Sequence, residues 1–211
     1  MGAARSPGAL VIRTPLEEMT MSCACVCHVQ GIQRIDVGAL VTLQAEGRIG
    51  LRQLVQGRPY MRMTASLLRD EKPANVNLEK ESSEQAKRIL QLLEECTTMA
   101  EELYPDNMEE IDAMRRAKDW ATSTGSRPLL PTGPQGNRVS EWISRISYSG
   151  LVEVPGMSSV DMEKLHRLKR LALLSLNTTE RLSYTLEHLE NTRSSLGAKI
   201  SLLKLGKSLG Q

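Results

Sequence analysis

The sequence predicts an all-α protein, with a helical hairpin and a long C-terminal leucine-heptad helix that form a bundle or coiled coil behind a poorly ordered N-terminal tail. Three observations indicate this class. The 211 residues include no Phe, two Trp and four Tyr, so the core must be aliphatic, and aliphatic side chains suit helix interfaces. Apolar residues recur every three or four positions after residue 78. Four leucines then recur every seven residues: Leu182, Leu189, Leu196 and Leu203.

The first third of the chain carries the weakest pattern. Residues 1–31 mix Gly, Pro, Ser and Cys without periodicity, which predicts a flexible tail. Residues 32–77 hold short apolar clusters separated by glycines, so short helices or an irregular segment are expected, with a hairpin as the alternative.

The tail contains residues that could bind a metal ion or accept a lipid. Cys23, Cys25 and Cys27 are potential thiolate ligands, but alternate residues of one peptide cannot easily surround a tetrahedral ion, so no metal or cofactor is predicted. Gly2 followed by Ser6 fits the N-myristoylation pattern, and the three cysteines could accept palmitate. A lipid-anchored adaptor is therefore one alternative function.

Residues 78–122 predict an acidic helical hairpin. The apolar positions of its first helix fall on one face, and Pro105 separates it from a second helix. The segment has a net charge of −6, from twelve acidic and six basic residues, whereas residues 160–211 have +4, from nine basic and five acidic. These segments could pair within the chain or between chains, or remain solvated. The apolar positions are Ala86, Ile89, Leu90, Leu93, Cys96, Ala100 and Leu103, then Met108, Ile111, Met114, Ala117 and Ala121.

Residues 123–157 predict a linker rich in Pro and Gly that includes a short helix over 139–148. Residues 158–211 then predict one long helix that starts at Ser158 or Ser159. With the four leucines at heptad position d, Arg193 falls at position a and Gly197 lies within the helix, so a bundle is favoured over a free-standing dimer. The predicted interface residues are Leu165, Leu168, Leu182, Leu186, Leu189, Leu196, Ile200 and Leu203.

The turn before this helix suggests a different function. Residues 151–165, with Pro155 and Gly156 ahead of a helix start, resemble half of a helix-hairpin-helix, a motif that presents backbone N–H groups to a nucleic-acid phosphate. This resemblance implies phosphate contacts at Gly156, with Lys169 and Arg170 on the basic helix that follows. A nucleic-acid-binding factor is therefore a second alternative.

The leading hypothesis is a non-enzymatic interaction or scaffold protein that oligomerises or binds a partner helix through the leucine face. No histidine is accompanied by a recognisable nucleophile motif, so no enzyme activity is predicted. The chain also lacks an apolar run long enough for a membrane span, and its N-terminus lacks the pattern of a secretory signal. A cytoplasmic location is expected, with the nucleus as the alternative.

Overall fold

The computed structural model describes residues 10–13, 18–71, 76–123 and 138–209. The described residues up to Arg69 form one compact unit of β-strands, and those from Asp70 onward form a second unit of α-helices. The all-α prediction is therefore wrong, because the N-terminal third is an antiparallel β structure. The predicted flexible tail is also wrong for residues 18–31, which lie almost entirely in strands.

The strand unit contains two antiparallel sheets. One sheet pairs β1 with β2, and the other has the strand order β3-β4-β5. β3 and β4 form a long hairpin whose turn lies at Asp36 and Val37. The strands are β1 (Leu10–Arg13), β2 (Glu18–Met21), β3 (Cys23–Ile35), β4 (Gly38–Gln56) and β5 (Arg62–Leu67).

The glycines that separate the apolar clusters in this region occupy specific positions in the sheet. Gly38 has a φ of 105°, a conformation that side-chain-bearing residues rarely adopt, and it begins β4 after the turn. Gly31 and Gly47 border the two register shifts of the β3–β4 pair. Because bulges offset the alternation of apolar and polar residues, neither strand shows a clean period of two.

The helical unit contains five helices. The predicted acidic hairpin is confirmed as α1 and α2, and the predicted short helix is confirmed as α3. α2 returns antiparallel to α1, since Arg115 binds Glu101 and Lys118 binds Glu94. The helices are α1 (Val76–Leu103), α2 (Met108–Thr122), α3 (Arg138–Ser149), α4 (Ser159–Leu174) and α5 (Thr178–Leu209).

The predicted single C-terminal helix is two helices. α4 starts after Ser158, whose hydroxyl accepts a hydrogen bond from the Asp161 amide at 3.1 Å, so the predicted start is confirmed. However, α4 ends before Ser175, and the Asn177 side-chain oxygen accepts from the Thr179 amide at 2.9 Å at the start of α5. Such local caps compete with helix continuation. A heptad register therefore cannot run through residues 175–177.

One apolar cluster occupies the centre of the helical unit. α5 runs parallel to α1, because Ser82 contacts Thr179 near their beginnings and Glu102 binds Lys204 near their ends. Five of the seven predicted apolar positions of α1 are buried, and so are three of the five predicted positions of α2. The buried members of the cluster are Ala86, Ile89, Leu92, Leu93, Cys96, Ala100, Ile111, Met114, Ala121, Ile143, Ile146, Val154, Leu182, Leu189 and Leu196.

Candidate functional site

Three of the four heptad leucines lie in the core of their own unit. Leu182 and Leu189 are fully buried and Leu196 is 2% exposed, in the cluster that α1, α2 and α3 also line. The Cys96 thiol lies 3.7 Å from the Leu189 carbonyl oxygen, which places α1 directly against this stripe. Leu203 differs, because 54% of it is exposed. The stripe is thus occupied by neighbouring helices along most of its length.

The buried face of α5 is displaced from the expected a/d seam. Arg181, Thr185 and His188 are buried beside the d leucines, whereas Leu186 and Ile200 at position a are only half-buried. Arg193, also at position a, is exposed and its Nε lies 2.5 Å from Glu95 Oε2. A face of this width is typical of a helix inside a bundle.

The acidic and basic segments pair within the chain. Besides the contact of Arg193 with Glu95, Lys204 Nζ lies 3.4 Å from Glu102 Oε1, so both ion pairs join acidic α1 to basic α5. Three of the four side chains are close to half exposed or more, so each pair adds at most about 1 kcal/mol to stability.

The two interface residues predicted on α4 have different surroundings. Leu165 is fully buried against Leu151 and Ala172. Leu168 is half-buried, packs on the same cluster and also lines a groove between α4 and α5.

This α4–α5 groove has a volume of about 740 Å³. Its floor is apolar, with Val154, Met157, Leu168 and Leu196, and the turn at residues 154–158 closes one end. The α5 wall is largely uncharged and polar, whereas the α4 wall carries cations. The remaining lining residues include Asp161, Lys164, Arg167, Leu171, Tyr184, Glu187, His188, Asn191, Thr192, Ser195 and Lys199.

Two of the charged groups in the groove are held by local hydrogen bonds. The Ser158 hydroxyl donates to Asp161 Oδ2 at 2.7 Å, and this bond lowers the pKa of the Asp161 carboxyl. Lys199 donates to Tyr104 Oη at 3.1 Å and to the Gly156 carbonyl at 2.9 Å. Arg167, in contrast, has no ion pair within the described parts of the chain.

The residues predicted to contact nucleic acid lie close to this groove. Gly156 has a φ of 72°, and a Cβ there would come within 2.2 Å of Tyr104 Oη, so the turn packs tightly on the end of α1. Lys169 Nζ lies 3.2 Å from Glu153 Oε1, while Arg170 is exposed. Nucleic-acid contact by these residues stays a prediction.

The cysteine cluster lies on β3. Cys25 and Cys27 are exposed and Cys23 is half-buried, and all three are free thiols. Partial burial raises the pKa values of the Cys23 and Cys25 thiols. No group of three metal-binding side chains occurs within the described residues. Gly2, the predicted myristoylation site, lies outside them.

An uncovered apolar surface of the described residues lies in the strand unit, at the distal part of the β3–β4 hairpin, residues 28–44, here called the arm. The strand register places Val29 and Ile32 opposite Leu43 and Val41, so these four side chains share one face. They are between 44% and 69% exposed. The opposite face is mostly polar, with Gln33, Thr42, Gln44 and His28 beside Ile35 and Leu40.

A second apolar surface is the end of α5, residues 200–208. Leu202, Leu203 and Leu205 are all more than half exposed. Leu202 and Leu205 lie three residues apart on one face of the helix, whereas Leu203 lies on the adjacent side. This is the part of the leucine repeat that remains accessible.

Sequence reasoning missed the buried Arg181. Its guanidinium is fully buried, stacks 4.8 Å from the Tyr148 ring centroid, and forms a two-point ion pair with Asp70, at 2.9 Å and 2.6 Å. Ser147 Oγ accepts from its Nε at 3.0 Å. The sequence gives no sign of this pair, because Asp70 lies 111 residues before Arg181, inside the segment 32–77 that shows no clear pattern.

No helix within the described residues is long and apolar enough to cross a membrane. No protein-family model matches the chain. Comparison with curated proteins also finds no similar sequence.

Proposed function

We propose that the protein is a non-enzymatic interaction protein that binds another polypeptide through the apolar face of the arm. The observation that carries this proposal is the clustering of Val29, Ile32, Val41 and Leu43 on one exposed face. Single exposed apolar residues are ordinary, but a continuous apolar patch rimmed by polar residues is typical of an interaction surface.

The size of the patch supports a functional role. From their exposed fractions, the four side chains offer on the order of 350 Å² of apolar surface, within the range of about 300–600 Å² for the largest patch on a monomer. Covering it would contribute at most about 9 kcal/mol before the cost of association. A two-stranded ribbon is only marginally stable alone, so a covering chain would also stabilise the arm.

The arm offers main-chain hydrogen bonds in addition to apolar surface. β5 pairs with β4 only from Ile49 onward, so the distal half of β4 hydrogen-bonds to β3 alone among the described strands. Among the strands that the structure describes, β3 also pairs only with β4. Such strand edges are templates onto which another extended chain can add.

The test places one charge on either face of the arm. Ile32→Lys disrupts the apolar face, whereas Gln33→Lys adds the same charge to the polar face. A photocrosslinking amino acid at position 41 in the full chain reports what covers the apolar face, and the same group at position 40 reports on the other face. Light scattering of the 23.4 kDa chain identifies self-association.

We expect a discrete crosslinked product from position 41 that persists with Gln33→Lys and disappears with Ile32→Lys. Its mass distinguishes a second copy of the chain from a different polypeptide. Absence of a product from position 41, or equal yields from positions 40 and 41, would contradict the proposal.

The leucine repeat contributes to the proposal through the end of α5. Leu203 and the half-buried Ile200 continue the stripe beyond the core, and a partner helix could pack there. Leu203→Glu is expected to weaken such binding while the thermal midpoint of unfolding stays unchanged. A lowered midpoint would instead mean that Leu203 stabilises the unit itself.

A further inference from the structure

We propose that the α4–α5 groove binds an acidic amphipathic helix of another polypeptide, independently of the arm. The groove lies wholly within the helical unit, between two adjacent helices that run in opposite directions. A third helix can lie along such a groove with its side chains between those of the two walls. Recognition of an amphipathic helix by an apolar groove is a recurrent mode of binding between proteins.

The volume and floor of the groove suit an apolar ridge. Its volume of about 740 Å³ falls within the range of ligand-binding clefts, about 300–1,000 Å³. Leu168 is half-buried and Leu171 is 38% exposed, so both retain surface that a ligand could cover. His188 also lines the groove, and burial lowers its pKa below 6.5, so the ring is mainly neutral at pH 7.

The charges select an acidic ligand. Lys164, Arg167 and Lys199 bring three positive charges to the groove, against Asp161 and Glu187. Asp161 accepts the Ser158 hydroxyl and lies 3.6 Å from Lys164 Nζ, so the charges of Asp161 and Lys164 partly offset each other. Arg167 is exposed on the α4 wall and has no ion pair within the described segments, so it is the principal cation available to a ligand carboxylate.

The position of the cations complements an amphipathic helix. Lys164 and Arg167 lie three residues apart on α4, so they project on neighbouring positions of the same helix face. A ligand helix with leucines on one face and glutamates beside them would place its leucines on the floor and its carboxylates near these cations. The uncharged polar wall formed by Asn191, Thr192 and Ser195 would then face the ligand's opposite flank.

The test uses the full chain and a designed probe. The probe is a fluorescein-labelled peptide of Leu, Ala and Glu, roughly 15 residues long so that its helix can form, with leucines at i, i+3, i+4 and i+7. One control peptide has Lys in place of Glu, and another has the same composition in scrambled order. Fluorescence anisotropy measures binding, and a labelled oligo-dT strand serves as a nucleic-acid competitor.

The protein variants separate a site from general charge attraction. Arg167→Glu reverses the free cation of the groove, while Arg170→Glu makes the same change on α4 outside it. Arg167→Gln removes the charge without reversing it, in case the reversal affects folding, which far-UV circular dichroism checks. Because neither residue belongs to the arm, the outcome is distinct from that of Ile32→Lys.

We expect saturable binding of the acidic amphipathic peptide, roughly tenfold weaker with Arg167→Glu and changed less than about twofold with Arg170→Glu. Absence of saturable binding, equal binding of the scrambled or lysine peptide, or equal loss in the two Glu variants would overturn the proposal. Displacement of the peptide by oligo-dT at lower concentration than by unlabelled peptide would likewise overturn it, in favour of a nucleic-acid site.

Discussion

Replacing Arg181 with Met should destabilise the helical unit more than any exposed ion-pair substitution. Arg181 is fully buried and the Asp70 side chain is 5% exposed, so neither charge is solvated. The guanidinium also donates to the Ser175 carbonyl at 3.0 Å and to Thr178 Oγ1 at 3.1 Å. The hydroxyl of Ser144 also donates to Asp70 Oδ2, at 2.6 Å, but it carries no charge that could replace the guanidinium.

The magnitude follows from the loss of one partner of a buried pair. Such substitutions typically cost about 3–5 kcal/mol, because the remaining charge stays buried without compensation. A domain has a total stability of only about 5–15 kcal/mol, so the effect is a large fraction of it. With a urea dependence of about 2 kcal/mol per molar, a loss of 4 kcal/mol lowers the unfolding midpoint by about 2 M.

Urea unfolding followed by far-UV circular dichroism measures this change. The double variant Arg181→Met with Asp70→Leu removes both charges, so it should be more stable than Arg181→Met alone. Lys204→Met is the matched control, since it removes an exposed ion pair, with Glu102, and should cost at most about 1 kcal/mol. A cost below about 1 kcal/mol for Arg181→Met, or a double variant no more stable than Arg181→Met alone, would refute the reasoning.

Four further predictions concern individual side chains. Leu189→Ala should cost about 2–5 kcal/mol in urea unfolding and Leu203→Ala less than about 0.5, because only Leu189 is buried; similar costs would contradict the assignment. Gly150→Ala should lower the thermal midpoint, since its Cβ would lie 2.7 Å from Leu189 Cδ1. Burial lowers the pKa of His188, so its imidazole binds a proton more readily in the unfolded chain than in the folded one. Stability should therefore fall as pH drops through 6.5 towards the lowered pKa, and less steeply in His188→Gln. Burial raises the pKa of Cys96 to about 12, so a thiol reagent at pH 8 should label it only after unfolding.

Helices α1 and α2 could be predicted because the apolar pattern that indicates them is local in the sequence. Ile89, Leu93 and Cys96 recur on one face of α1, and all three are fully buried. Pro105 predicts the end of the first helix, and α1 does end just before it, at Leu103. These features depend on residues only three or four positions apart, which a helix makes neighbours whatever packs against it.

The strands could not be predicted because a strand is defined by its pairing with residues that are distant in the sequence. The absence of Phe predicts helices rather than strands, yet Val and Ile supply the large apolar positions of β3, and Leu together with Val and Ile supplies those of β4. Two bulges shift the alternation, and the glycines beside them resemble loop residues when the partner strand is unknown. The register that brings Ile32 opposite Val41 is a pairing between strands, which a single-strand pattern cannot specify.

The boundary between α4 and α5 illustrates a different failure. Ser175 fits heptad position d and Asn177 interrupts no apolar period, so the sequence repeat is continuous through both residues. Their side chains instead form hydrogen bonds to the Asn177 and Thr179 amides, respectively. Because Asn and Ser favour caps over helix interiors, this Ser-Leu-Asn-Thr segment was a readable signal that the heptad pattern outweighed.

The heptad spacing itself cannot specify where the covering helix comes from. A leucine stripe is buried equally well by a second chain or by helices of the same chain, so the residues beside it must decide. In a two-stranded coiled coil, position a shares the seam with d, yet Arg193 at a is exposed, while Arg181 and Thr185 on the other side of d are buried. A partner that displaced α1 from this face would have to compensate for the loss of the main core. Within the helical unit, association is therefore more favourable at surfaces that its own helices leave exposed, namely the α4–α5 groove and the end of α5.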